Sequence, residues 1–169
     1  MDEGRRLGVI NMDKPIIQGN GHWIQGVFNP VHKRKYVGSW PITYRSRPEL
    51  LVMKWMDSQQ NVLKWSSESV VIPYRLSQDD RLRRYFVDFS CDWRNADGSI
   101  SHLLIEYKPK HKTIPPKKGR KSDKTYLNEC LEYNMNQTKW KYATVWAQQH
   151  GYKFIVISED SIGLPVYGM

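Results

Sequence analysis

Cysteine is scarce in this 169-residue chain, which holds only Cys91 and Cys130. Neither a disulfide framework nor a four-thiolate zinc site can be built from two thiols, and a reducing compartment is expected. Long apolar runs are missing as well: no stretch approaches the roughly 20 consecutive apolar residues of a membrane span. The opening MDEGRRLGVINMDK lacks the apolar centre of a secretory signal, so no membrane role is expected. The histidines at 22, 32, 102, 111 and 150 have no zinc-type spacing and are assigned no ligand role. No helix-turn-helix spacing and no internal repeat is visible. Acids are outnumbered, with 17 Asp+Glu against 26 Lys+Arg for a formal net charge of +9, which points to a polyanionic partner. Aromatic residues are plentiful: 7 Trp, 10 Tyr and 4 Phe can bury enough surface to exclude wholesale disorder. The length suits one domain of the usual size.

Residues 1–42 show no sustained periodicity and carry Pro15, Gly19, Gly21, Gly26, Pro30 and Pro41. They read as a basic, largely extended arm with anchors at Trp23, Ile24 and Phe28 and a basic knot at Lys33, Arg34 and Lys35. A single domain over 43–158 and a tail over 159–169 complete the division. SRPELLVMKWMD predicts a helix over about 47–58, with Ser46 as N-cap, Pro48 in the first turn and Glu49 three residues after the cap. VLKW and ESVVIPYRL are strand-like, with Pro73 marking an edge or bulge. RLRRYFVDFSCDW predicts one long strand over about 82–93. The Asn95-Ala96-Asp97-Gly98 turn and SHLLIEYKPK make a hairpin with it. Residues 109–124 hold seven Lys/Arg, one His, three Pro and one Gly, and predict a mobile basic loop. A helix over about 124–149 stops before Gly151, and FIVIS at 154–158 is a short buried strand. Trp140, Tyr142 and Trp146 are expected in the core.

The chemistry concentrates in Asp88, Glu106 and Lys108. Side chains two apart on a strand share a face, so Glu106 and Lys108 project together, opposite Tyr107. Pairing through the Asp97-Gly98 turn brings Asp88 beside Glu106. Two carboxylates and the intervening strand carbonyl make an oxygen-only pocket suited to Mg²⁺, with Mn²⁺ as a substitute. A lysine two residues on can orient an attacking water and offset charge on a phosphate. An isolated ExK is more often a solvent-facing ion pair. Asp88, lying between Phe86 and Phe89, shifts the balance because an unpaired acid is costly to bury there.

A carboxylate, 17 residues, a second carboxylate, one residue and a lysine resemble the motif of the PD-(D/E)xK phosphodiester hydrolases. Val87 stands where the motif's name has Pro. The blocks YRSRPELLVMKWMDSQQNVLKWSSESVVIPY, RRYFVDF, LLIEYKPK and YLNECLEYNMNQTKWKYATVWAQQHGYKFIVISED are similar to the head-completion nucleases of T-even-like tailed phages. The endonuclease subunits of heteromeric transposases are similar in the same blocks. The resemblance implies an α/β fold, a restriction-endonuclease-like core with a small mixed sheet flanked by helices. It implies a Mg²⁺-dependent DNA nuclease of head completion and head–tail joining, at work in the host cytoplasm during assembly or on the virion. Glu49, Asp88, Glu106 and Lys108 would form its catalytic set, the three acids holding the metal.

Ser46 and Glu49 also form a capping box, which needs no metal. Gln137 on the long helix is placed to face the site or solvent. Arg45, Arg47, Lys110, Lys112, Lys117, Lys118, Arg120, Lys121 and Gln137 are the candidate contacts to double-stranded DNA, made to its backbone with little sequence reading. Phage portal or neck proteins are the other partners implied. Rival readings are a neck or portal adaptor that keeps the fold without cutting, and a transposase-type or junction-resolving endonuclease.

Overall fold

The computed structural model describes residues 16–17 and 24–161. Trp23 and all of the tail beyond Ser161 lie outside them. Strands β1 (Ile16–Ile17), β2 (Ile24–Val27) and β3 (Thr43–Tyr44) pair antiparallel in that order. Helix α1 runs from Arg47 to Ser58, as the sequence predicts. Ser46 is extended and its Oγ accepts the Glu49 amide at 3.2 Å, while Pro48 occupies the first turn, where no intrahelical donor is needed. Val52, Met53 and Met56 are its buried side.

Strands β4 (Val62–Ser67), β5 (Val71–Arg75), β6 (Leu82–Phe86), β7 (Phe89–Arg94) and β8 (Ile100–Tyr107) follow. After them come helix α2 (Asp123–Gln149) and strand β9 (Lys153–Ile157). The main sheet has the order β4-β7-β8-β9, antiparallel except for the parallel pair β8 and β9 that α2 connects. The β7–β8 hairpin turns at Gly98, whose φ of 84° suits a residue without Cβ. Gly151, at φ 75°, ends α2 in the same way.

The long strand expected over 82–93 is in fact two. β6 pairs with β5 in a separate two-stranded ribbon, and β7 enters the main sheet. At the junction the Val87 amide donates to the Val70 carbonyl (3.1 Å) and the Asp88 carbonyl accepts from the Glu68 amide (2.9 Å). The chain therefore changes partners at Val87-Asp88 with the Val87 amide and the Asp88 carbonyl both paired. Pro73 is accommodated because the ribbon is nothing but edge strands.

The sheet separates two cores. On one face Val52, Met53 and Met56 of α1 pack with Val62, Trp65, Phe89, Cys91, Ile105 and Ile157. On the other, Ile72, Tyr74 and Tyr85 of the ribbon meet Leu104, Ala143 and Ala147. β8 serves both, with Ile105 turned to the first and Leu104 to the second. Tyr142, expected in the core, is 40% exposed, and the small Ala143 beside it takes the buried position. Trp146 packs against the second core, and Trp140 is half-buried.

The segment read as an arm is extended at β1 and β2, yet its described part packs tightly. Phe28, Tyr36 and Ile42 belong to the first core. Buried Asp57 accepts the amides of Val31 (2.8 Å) and His32 (3.1 Å). Lys35 Nζ donates to the Asp57 and Gln59 carbonyls at 3.0 and 2.7 Å, where the helix dipole favours a cation. Asp57→Ala should therefore lower the free energy of unfolding by about 1–3 kcal/mol, read by urea denaturation, with the α1 sequence still helical by circular dichroism.

Candidate active site

Pairing of Phe89 with Ile105 carries one position further to set Asp88 against Glu106. Both acids thus stand at neighbouring strand ends, where the ribbon departs from the sheet. Asp88 Oδ2 accepts the Tyr107 amide at 2.9 Å. Glu106 is 7% exposed, and its Oε2 accepts the Tyr85 hydroxyl at 2.8 Å. Lys108 follows the end of β8, its amide held by the Ile157 carbonyl at 2.9 Å. The hairpin expected from the sequence therefore delivers Asp88, Glu106 and Lys108 to one place.

Electrostatics mark the site as strained. Burial, followed by the charge of Glu106, pushes the Asp88 carboxyl up to about 8, against the opposing pull of the Tyr107 amide and Lys108. Glu106 is also raised by burial, though the Tyr85 hydroxyl, Lys108 and Lys139 hold it back. Two acids this close do not ionise independently, and the pair retains a proton well above the ordinary carboxylate range. None of the nine ion pairs among the described residues involves Asp88, Glu106 or Lys108. The acids thus lack a counter-cation at contact distance.

Glu49 takes a different place from the one the motif suggests. Its Oε2 accepts the Arg45 amide at 2.7 Å and its Oε1 the Ser46 hydroxyl at 3.1 Å. The capping box is real, with the reach-back made to the residue before the cap. Glu49 does line a narrow cleft with Asp88, Ser67 and Glu68, and its charge reaches Asp88. Among the described residues, no three of the His, Cys, Asp and Glu side chains converge closely enough to hold a metal. The helix start has claimed the third carboxylate.

The basic candidates are largely engaged with acids of the same chain. Arg45 pairs with Glu68 at 2.5 Å, Lys112 with Glu132 at 2.9 Å, Lys118 with Asp123 at 2.5 Å and Lys121 with Glu129 at 2.6 Å. Lys110 pairs with Asp160. Lys117 and Arg120 are exposed and form no ion pair among the described residues. Arg47 opens α1. His111, Lys112, residues 114–117 and Lys121 face α2 across a cleft of about 370 Å³, which Glu129, Glu132, Tyr133 and Asn136 close from the other side.

Two residues of the site escaped the sequence reading. Tyr85, 4% exposed, lies three residues before Asp88 and anchors Glu106. Lys139 approaches from α2, its ammonium 5.5 Å from the centre of the Tyr85 ring and 5.8 Å from that of Tyr74. Half-buried Gln137, which the sequence leaves facing either the site or solvent, stands about 200° around the helix from Lys139. The usable signal is the buried face Asn136, Ala143 and Ala147, since Lys139 falls between the first two at helical spacing.

A mixed sheet flanked by helices, with paired acids at adjacent strand ends and a lysine two residues on, defines a restriction-endonuclease-like nuclease domain. Comparison with known proteins is specific: the family described as TnsA-like endonuclease N terminal matches residues 59–159. The head completion nuclease of Enterobacteria phage T4 is 35% identical over 148 residues, covering 85% of this chain and 93% of that protein. The chain belongs to the TnsA-like endonuclease family.

Because the folded state holds a proton on Asp88 that the unfolded chain has released, metal-free stability falls as pH rises from the ordinary carboxylate range to about 8. Asp88→Asn keeps an acceptor for the Tyr107 amide and removes that titration. It should raise the free energy of unfolding at pH 7.5 by about 1–3 kcal/mol, carry the melting temperature up with it, and flatten the profile between pH 5 and 8. Scanning calorimetry with chelator present reads both effects; a native profile that rises through that window contradicts the assignment.

Proposed function

We propose that this protein is a metal-dependent DNA nuclease of phage head completion, cutting phosphodiester bonds with Asp88, Glu106 and Lys108. The observation that carries the reading is the pair of buried, adjacent carboxyls beside Lys108, both raised by burial and Asp88 further by the charge of Glu106. The name of the similar T4 protein supports the biological setting.

The donor set fits a hard divalent cation. Asp88 and Glu106 offer only oxygen, they are desolvated, and no lysine neutralises them at contact distance, which suits Mg²⁺ with Mn²⁺ as a substitute. When bound, such a cation supplies charge neutralisation and polarisation at the phosphate. Asp88 and Glu106 would hold it, and Glu49 joins them only by releasing the Arg45 amide. Lys108, whose backbone β9 fixes, orients the attacking water and offsets charge as it grows on the phosphate. Tyr85 keeps the Glu106 carboxylate from rotating away.

Double-stranded DNA is the proposed substrate, gripped through its backbone. Lys117 and Arg120 reach phosphates directly. Arg45, Lys110, Lys112, Lys118 and Lys121 do so by exchanging an internal carboxylate for a phosphate, and Arg47 adds charge at the start of α1. Phage portal or neck proteins are the proposed protein partners, met in the host cytoplasm during assembly. No helix of the described residues is long and apolar enough to cross a membrane.

Cleavage of supercoiled and linear DNA in Mg²⁺ tests the reading. The native chain should cut, chelator should stop it, and Lys108→Ala and Asp88→Asn should each slow turnover by about 10²–10³-fold. Native protein that binds DNA yet never cuts in Mg²⁺ or Mn²⁺ would make it a non-cleaving adaptor. Cutting that survives both substitutions would displace the site.

A further inference from the structure

Lys139 is the titratable group near the acids that the proposed reaction does not use. It stands on the inward side of α2, one turn from Asn136 and one from Ala143, which are 3% and 0% exposed. A lysine in that position gives up part of its hydration, and helices place neutral or small residues there by default. Ala143 and Ala147 follow that default. Lys139 does not, so the surroundings must compensate its ammonium.

They do so in an unusual way. The ammonium lies against the faces of Tyr74 and Tyr85, two tyrosines of the ribbon, at cation–π range. It makes no ion pair with Glu106 or Asp88, although both lie within reach of its charge. Tyr85 itself is pinned by its hydroxyl to Glu106, so the ring beneath the lysine cannot turn without releasing an acid of the site. A cation fixed in this manner feels the charge of both carboxyls while its ammonium is held on the tyrosine rings. A phosphodiester suits such an arrangement, since its anionic oxygens must be met on one side by whatever the acids hold and on the other by a cation. Lys108 flanks the same acids from the end of β8.

We propose that Lys139 contacts a non-bridging oxygen of the DNA phosphate in the active site, with the Tyr74 and Tyr85 rings holding its ammonium in place before substrate arrives. The inference rests on the nuclease reading and deepens it. It assigns to α2 a substrate contact that complements Lys108 from the opposite side.

The test compares Lys139→Met with Lys139→Arg. Cutting rates are measured in the otherwise native chain, and duplex binding by fluorescence anisotropy in the Asp88→Asn background over a series of salt concentrations. Loss of one phosphate contact should reduce the slope of log affinity against log salt by about 0.9. Lys139→Met should show that drop and a fall in kcat/KM of at least about tenfold, while Lys139→Arg retains the native slope. A residue that only braced the fold would change the melting temperature and leave the slope alone. Lys139→Gln takes the place of Lys139→Met if the latter does not fold. A folded Lys139→Met chain with native slope and native rate overturns the proposal and leaves the nuclease reading intact. A native chain that neither binds nor cuts DNA overturns both.

Discussion

Asp88 and Glu106 stand side by side where water is scarce, and burial together with the charge of Glu106 keeps a proton on the pair well above the ordinary carboxylate range. Much of the surrounding architecture serves to keep them there. The Tyr107 amide holds one acid and the Tyr85 hydroxyl the other. Those two anchors come from different sheets, one from β8 and one from the ribbon, so the ribbon cannot shift without disturbing the acids. Burying two neighbouring carboxyls is costly, and it follows the general pattern in which a functional site is less stable than the fold around it could be.

The helices and the hairpin were legible because each depends on local rules. Ser46, Pro48 and Glu49 define the start of α1, Asp97-Gly98 defines the β7–β8 turn, and Gly151 ends α2. The acid pair was legible for the same reason: once the turn is known, a period of two settles which side chains meet. The break at Val87-Asp88 was not, since the residues on both sides are equally good strand formers and only the amide of Glu68 and the carbonyl of Val70 decide where pairing switches. Tyr85 and Lys139 were hidden because they reach the acids through tertiary packing, from elements with no fixed sequence distance to them. Glu49 shows how one residue type can satisfy two rules, and the local rule prevailed.

Net charge is likewise an incomplete guide to a binding surface. The chain is strongly basic, but five of its candidate DNA contacts are already paired with acids nearby. Exposed pairs of this kind are worth little, so a phosphate can displace the carboxylate at small cost. Three of them, Lys112–Glu132, Lys118–Asp123 and Lys121–Glu129, tie the loop after β8 to α2.

The parallel pairing of β8 with β9 also imposes an order in time. β4, β7 and β8 can zip up from nearby turns. Closing the outer edge of β8 requires a partner some fifty residues further along, after the whole of α2 has been made, and such non-local contacts form late. It is that partner which fastens the backbone of Lys108. A chain emerging from the ribosome therefore carries both acids well before the backbone of Lys108 is fastened beside them, and the topology itself delays that arrangement until synthesis has passed β9.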